Sequence, residues 1–307
     1  MIAVIARVPL ADLPAALVEE IAAAGLDPQA VYDHVVLAFE EDLPGGVDDV
    51  TSAAMPDMGR ATADFAAREA GVVAGLAIAE LAFVYALGDD VTVSGRVPDG
   101  TRVAPGDVVL TVEGAVRGVL TAERTALNFA SHLSGVATAT AQWVDALVGT
   151  RARVLDTRKT LPGWRALQKY AVRCGGGVNH RLSLVDRAMV KDNHAVAAGG
   201  VVPAYRAVVA ANPGLRVEVE VTTLEELRDV LDAGCTEVLL DNMSTAELAE
   251  AVRINDERGR PASLEASGGL TLARAREVAA TGVDFISVGA LTHSVDVFDL
   301  GLDFRTG

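Results

Sequence analysis

From Ala152 onward, short apolar runs alternate with stretches in which apolar residues recur every three or four positions. The runs are ARVLDT, RAMVKDN, LRVEVEV, EVLLDN, ASLEAS and VDFISVGA. Between them lie GWRALQKYAVR, VVPAYRAVVAA, TLEELRDVLDAG, STAELAEAVRI and LARAREVAATG, each with a helical spacing of apolar residues. Two of these open on a capping box, Thr223-x-x-Glu226 and Ser244-x-x-Glu247, which marks a helix start. The pattern predicts six strands with a helix in every connection, and hence a parallel sheet. So many units in one direction favour a closed barrel, with a doubly wound open sheet as the second topology.

The first part of the chain has another character. Pro28 to Glu41 is helical in spacing, with Asp27 placed to cap it and Pro28 at its first position. An acidic, glycine-rich loop, DLPGGVDDVTS, follows. TADFAAREAGVVAG alternates and reads as a strand, and LAIAELAFVYAL as a buried helix. VTVSGRVPDGTRVAPGDVVLTVEG holds short β-branched strands around turn signals at Pro98-Asp99-Gly100 and Pro105-Gly106-Asp107. This is an α+β region with antiparallel strands. TAERTALNFASHLSGVATATAQWVDALV is helical, with an interruption expected near Ser134-Gly135.

Composition narrows the function classes. Half of the 307 residues are apolar, which suffices for a large core, and the scarcity of aromatics (4%) suits small side chains at packing contacts. The formal net charge of −16 argues against general binding to nucleic acid or to an anionic membrane. No apolar run reaches the ~20 residues of a membrane span. The N-terminus lacks the pattern of a signal peptide, and a cytoplasmic location is expected. Cys174 and Cys235 have no metal-ligand spacing and read as free thiols of a reducing compartment. GxxxxGK[ST], HExxH, CxxC and GxSxG are all missing, which disfavours the chemistries they carry.

The candidate chemistry lies at the strand ends. Each strand becomes polar at its C-terminal end: Asp156-Thr157-Arg158-Lys159, Lys191-Asp192-Asn193-His194, Glu218-Val219-Glu220, Asp241-Asn242, Glu265-Ala266-Ser267-Gly268-Gly269 and Gly289-Ala290-Leu291-Thr292-His293. In a parallel barrel these ends converge on one face, where active sites are built. Any one of them could be a helix cap or a polar loop residue, but six together make that explanation weak. Residues 151–191 hold ten Lys or Arg against Asp156 and Asp186, a local excess of 10 − 2 = +8 in an acidic chain. Arg165, Lys169 and Arg173 fall on one helical stripe and are expected mostly at the surface. Arg158, Lys159 and Lys191 end strands, and His180-Arg181 follow Gly175-Gly176-Gly177, so these suit an anionic ligand. Glu220 and Asp241 could hold ribose hydroxyls, ligate Mg²⁺ through water, or stabilise a developing positive charge. Ser267-Gly268-Gly269 and Gly289-Ala290 let backbone N–H groups approach a phosphate.

TRKT at Thr157, LPGWRALQKYAVRCGGGVNHR, KDNH at Lys191, EVEV with Glu220, LLDN with Asp241, LEASGG and VGALTHS together resemble the quinolinate phosphoribosyltransferase family, as do AFEEDLPGGVDDVTS and ERTALNFASHLSGVATAT upstream. The ordered set spans roughly residues 28 to 303. The resemblance implies an incomplete α/β barrel, residues 135–290. It also implies an N-terminal α+β open-faced sandwich, residues 1–134, completed by the C-terminal tail 291–307. The implied reaction joins quinolinate to 5-phosphoribosyl-1-diphosphate, releasing diphosphate and CO2 and forming nicotinate mononucleotide. By motif position Thr157, Arg158, His180, Arg181 and Lys191 would hold quinolinate, with Arg124 supplied by the partner of a homodimer; larger assemblies are compatible with this. Lys159 would be catalytic and touch phosphoribosyl diphosphate. Glu220 and Asp241 would be catalytic too, binding ribose and Mg²⁺, while Ser267, Gly268, Gly269, Gly289 and His293 would cradle the 5-phosphate. Family members commonly carry SGN where this chain has Ser267-Gly268-Gly269, so the third position contributes backbone only. One rival is the molybdenum-locus paralogue of the family, acting on a different acceptor; the full set of quinolinate cations argues against it. Another is a non-catalytic anion-binding barrel, against which Lys159, Glu220 and Asp241 stand.

Overall fold

A computed structural model describes residues 5–54 and 58–305. Its strands are β1 (Arg60–Ala67), β2 (Gly71–Val72), β3 (Thr92–Ser94), β4 (Arg102–Val103), β5 (Val108–Ala115), β6 (Arg153–Leu155), β7 (Ala188–Val190), β8 (Val217–Val221), β9 (Glu237–Asp241), β10 (Ser263–Ser267), β11 (Phe285–Ser287) and β12 (Leu300–Phe304). The chain divides into two compact units. One comprises Met1–Thr138, Ala166–Gly175 and Val295–Gly307, the other Ala139–Arg165 and Gly176–Ser294. The helix Arg165–Cys174 therefore groups largely with the first unit, although in sequence it connects two strands of the second.

In the first unit an antiparallel sheet runs β12-β1-β5-β3. The C-terminal strand β12 thus supplies one edge of a sheet begun more than two hundred positions earlier, as the family resemblance implied. The helix Leu76–Leu87 has every residue except Glu80 buried, as a sequence apolar on all its sides but for that glutamate requires. Phe65 and Phe83 meet edge to face with ring centroids 5.7 Å apart. Glu80 is satisfied by Arg96, whose Nε lies 2.6 Å away. The helix Pro28–Asp42 starts where expected, with the Asp27 carboxylate accepting from the Gln29 amide at 3.1 Å.

Several expectations are corrected. The alternating segment from Thr62 is two strands, β1 and β2, split at Arg68–Ala70. The helix Val116–Ala146 runs without a break at Ser134-Gly135. Ser134 instead hydrogen-bonds the main chain of Ala74, and a Cβ on residue 135 would lie 2.2 Å from the Asp296 carbonyl oxygen. The small residues mark close packing, not a helix end. Nor is Arg165–Lys169–Arg173 a solvated stripe, because Lys169 is fully buried. Helices at Ala15–Ala23 and Asp192–Ala198 were not foreseen. LARAREVAATG forms a 3-10 turn followed by the short helix Ala275–Ala279.

In the second unit six parallel strands run β6-β11-β10-β9-β8-β7. Each strand from β8 to β11 adds beside its predecessor and β11 returns to β6, the order of a barrel. The barrel is not closed, since β6 and β7 do not pair. This corrects the closed barrel favoured by periodicity and agrees with the incomplete one implied by resemblance. Beside β6, the segment at Val178 adds a short parallel bridge to Leu155. The Val178 amide donates to Val154 O at 2.9 Å, and the Asp156 amide donates to Val178 O at 3.2 Å. Gly176 (φ +86°) makes the turn that starts this segment.

Candidate active site

A cavity of about 520 Å³ opens at the C-terminal ends of the parallel strands. Register and the two-residue period of a strand explain its lining. Leu239 of β9 pairs with Glu220 of β8 and Glu265 of β10, and Asp241 with Ser267, so these side chains share the inner face. The other residues of β8, Val217, Val219 and Val221, are buried on the opposite face. Of the residues anticipated from sequence, Thr157, Arg158, Lys159, His180, Arg181, Lys191, Glu220, Asp241 and Ser267 all line the cavity.

Its charges are segregated. Arg158 and Lys159 follow β6, Arg181 and Lys191 flank β7, and the carboxylates Glu220 and Asp241 end the middle strands. Arg158 Nε is buried without a hydrogen-bond partner among the described residues. Among the described residues Lys159 makes only main-chain bonds: its amide donates to Thr157 Oγ1 at 3.0 Å, and its carbonyl accepts from Thr292 Oγ1 at 2.8 Å. A buried guanidinium nitrogen without an acceptor is costly, and a bound anion would relieve it. Burial, and then the neighbouring Arg158, hold the Arg181 guanidinium below its ordinary value. Arg181 gains little from the protein in return, a 3.3 Å bond from Nη1 to Arg187 O and a contact of Nη2 with Met189 Sδ. Lys191 Nζ lies 3.1 Å from Glu220 Oε2, and Asp241 accepts from Asn242 Nδ2 at 2.7 Å.

Below these groups His180 joins a buried network with Glu218 and Glu265, two carboxyl groups to which sequence reading gave no role. The Arg181 amide donates to His180 Nδ1 at 2.7 Å, which places the ring proton on Nε2. Nε2 faces Glu218 Oε2 at 2.7 Å and Glu265 Oε2 at 3.6 Å. Both ring nitrogens are thus already committed to the protein, and the ring fixes the main chain that carries Arg181. Glu218 also meets Arg187 Nη2 at 3.1 Å, and Ser287 Oγ donates to Glu265 Oε1. Burial pushes Glu218 up, but the hydrogen bond from His180 and then the charge of Arg187 outweigh it and hold it below its usual range. Burial, and then the Glu218 charge, push Glu265 well above the ordinary carboxylate range. Glu218 and Glu265 stand two residues before Glu220 and Ser267, and that spacing was the signal available in the sequence.

The remaining anticipated residues are placed less centrally. A Cβ on Gly289 would lie 2.9 Å from Lys159 Cδ and 3.2 Å from His293 Nε2, so these three adjoin. His293 Nδ1 bonds Ser294 Oγ at 2.6 Å. Gly268 (φ +98°) packs on Asn242, where a Cβ would fall 2.2 Å from Oδ1, and Gly269 also has a positive φ. Arg124 is exposed on the helix Val116–Ala146, and it is not among the residues that line the cavity.

Comparison with known proteins bears on this cavity. Residues 136–303 match the family model "Quinolinate phosphoribosyl transferase, C-terminal domain", and residues 49–134 its N-terminal counterpart. A nicotinate-nucleotide pyrophosphorylase [carboxylating] of Mycobacterium leprae is 51% identical over 275 residues, 89% of this chain and 97% of that protein. A quinolinate phosphoribosyltransferase [decarboxylating] of Nicotiana tabacum is 40% identical, covering 88% of this chain and 81% of its own. The solved nicotinate-nucleotide pyrophosphorylase of Francisella tularensis superposes with a TM-score of 0.85 at 38% identity, covering 90% of this chain and 96% of its own.

Proposed function

The chain belongs to the quinolinate phosphoribosyltransferase family, and from that premise we propose how its cavity divides the work of the family reaction. The enzyme transfers phosphoribosyl from 5-phosphoribosyl-1-diphosphate to quinolinate with decarboxylation, giving nicotinate mononucleotide, diphosphate and CO2. The observation that carries the assignment of roles is the set of cations at the two open edges of the barrel, Arg158 and Arg181 above all, whose own protein partners are few.

Arg158, Arg181 and Lys191, with Thr157, hold the two quinolinate carboxylates, and Arg124 of a second copy completes this clamp in a homodimer. His180 serves the clamp from beneath by fixing the Arg181 main chain. Lys159, placed between the strand end and Gly289, meets the phosphoribosyl diphosphate. The quinolinate nitrogen attacks the ribose carbon as diphosphate leaves, and Glu220 and Asp241 stabilise the positive charge that builds on the sugar. Ser267, Gly268, Gly269, Gly289 and His293 cradle the 5-phosphate. Most of the acceleration comes from positioning and fixed charge.

Two carboxylates on consecutive strand ends, with room beside them for water and phosphate oxygens, are the sparse protein ligand set that Mg²⁺ takes. Glu220 and Asp241 would hold the ion, which when bound neutralises charge on the diphosphate. The net charge of −16 suits a cytoplasmic protein working on small anions rather than on nucleic acid. The experiment is product analysis with quinolinate, phosphoribosyl diphosphate and Mg²⁺, with nicotinate in parallel. CO2 and nicotinate mononucleotide are expected from quinolinate alone. Binding of phosphoribosyl diphosphate without turnover of quinolinate would overturn the acceptor assignment.

A further inference from the structure

Arg187 stands one residue before β7 and is not among the residues that line the cavity. Its side chain is 13% exposed, so its charge acts inside the protein. Nη2 donates to Glu218 Oε1 at 3.1 Å and forms an ion pair with Glu237 Oε2, while Glu237 Oε1 accepts from Arg216 Nε on its other side. Neutralising two carboxylates would by itself explain so buried a cation. Its place in the bonding goes further. The Arg181 amide donates to His180 Nδ1 at 2.7 Å, and His180 Nε2 donates to Glu218 Oε2 at 2.7 Å. Arg187 holds the other oxygen of that same carboxylate, and its own carbonyl accepts from Arg181 Nη1 at 3.3 Å. The circuit closes on Arg181. Its main chain is reached through His180 and Glu218, and its guanidinium through the Arg187 carbonyl.

Glu218 lies in β8, which is paired on both sides, by β7 and by β9, so its main chain is fixed. Between Arg181 and Arg187 the chain runs as a loop in which Leu182, Leu184 and Val185 are exposed and Asp186 accepts from the Leu182 and Ser183 amides. Those bonds shape the loop from within. The Arg187 side chain ties its C-terminal end to Glu218 and Glu237 on neighbouring strands. A guanidinium suits this, since it presents several N–H donors in one fixed plane. Without Arg187, Glu218 keeps the His180 donor on one oxygen and loses the donor on the other. Its carboxylate can then turn, and His180 and the Arg181 amide turn with it. A shift of about 1 Å in a group that holds substrate is enough to cost an enzyme much of its rate. We propose that Arg187 is a positioning residue of the quinolinate clamp, which acts on the substrate only through Arg181, by fixing Glu218 and the end of the loop.

This inference rests on the proposed reaction and on the place of Arg181 in it. The test is a double-mutant cycle of Arg181→Ala and Arg187→Met, with steady-state constants for quinolinate and phosphoribosyl diphosphate in the presence of Mg²⁺ and a melting curve for each variant. Arg187→Met should raise KM for quinolinate so that its kcat/KM falls about 10-fold, with KM for phosphoribosyl diphosphate unchanged. The double variant should be no worse than Arg181→Ala alone, because Arg187 has no other route to the substrate. A merely structural Arg187 would lower the melting temperature and leave both KM values as they are, or shift them alike, or add its loss to that of Arg181→Ala. Any of these results would overturn the proposal. No loss in Arg181→Ala would sink the clamp assignment and the inference with it, whereas a loss there without one in Arg187→Met sinks the inference alone. If Arg187→Met does not fold, Arg187→Lys carries the same cycle. The charge is then kept and the planar donor set lost, and KM for quinolinate must still rise.

Discussion

At the residue scale the site is a matter of which charges the protein itself satisfies. Arg181 is buried against another cation, so removing it takes away a repulsion as well as a ligand. Arg181→Ala should therefore fold with a melting temperature equal to or above that of wild type, while kcat/KM for quinolinate falls by about 10²–10³, as for other lost charge-stabilising donors. Lys159→Ala, at an exposed position, should likewise fold normally and lose turnover. Near-normal turnover in either variant, measured beside its melting curve, would remove that residue from the mechanism. Lys159 and Arg158 were legible in the sequence because a strand end is a place where a charge has no structural reason to be. Glu218 and Glu265 were not assigned a role, because a glutamate inside a short buried strand gives no sign of the partner that makes its burial tolerable. His180 and Arg187 supply that partnership from loops distant in sequence.

At the element scale, glycine and aspartate decide two connections that periodicity could not. Gly135 in the helix Val116–Ala146 was read as a break because glycine weakens helices. Its reason is tertiary, the approach of the Asp296 carbonyl, which local pattern cannot encode. Gly135→Ala would gain up to ~1 kcal/mol of helix propensity but would place a Cβ against main chain, at a cost of ~1–3 kcal/mol. Lower stability in denaturant unfolding is the expected outcome, and a gain would show that the tail yields. The loop between Arg181 and Arg187 is tied by Asp186, which accepts from the Leu182 and Ser183 amides at 2.7 and 2.8 Å and from Ser183 Oγ at 2.7 Å. Slight burial raises this carboxyl, and the hydrogen bonds outweigh it and bring the value from 3.8 to about 2. A depressed acid stabilises the fold above its unfolded value and loses that contribution as pH falls through the folded one. The stability difference between wild type and Asp186→Asn should thus be full at pH 5 and shrink towards pH 2. A difference independent of pH would mean that the carboxylate charge is not what holds the loop.

At the scale of the whole molecule two fields compete for the substrates. The net charge of −16 repels a dicarboxylate and a diphosphate, while the cavity edge presents Arg158, Lys159, Arg181 and Lys191. Salt distinguishes the two. If the global charge governed binding, screening would weaken repulsion and affinity would rise with ionic strength. If the local cations govern it, screening weakens attraction and affinity falls. The Debye length is ~10 Å at 0.1 M salt, so charges scattered over the surface of a chain this size are largely screened at the site, whereas cations lining the cavity act at contact distance. The barrel topology makes that separation, since acidic helices such as Leu224–Asp232 and Thr245–Glu257 lie in the connections and the cations at the strand ends. KM for quinolinate should therefore rise as salt goes from about 0.05 to 0.5 M, with kcat changed less. Steady-state kinetics across that range read the sign directly, and a falling KM would mean that the acidic surface, not the cluster at the barrel opening, sets the encounter.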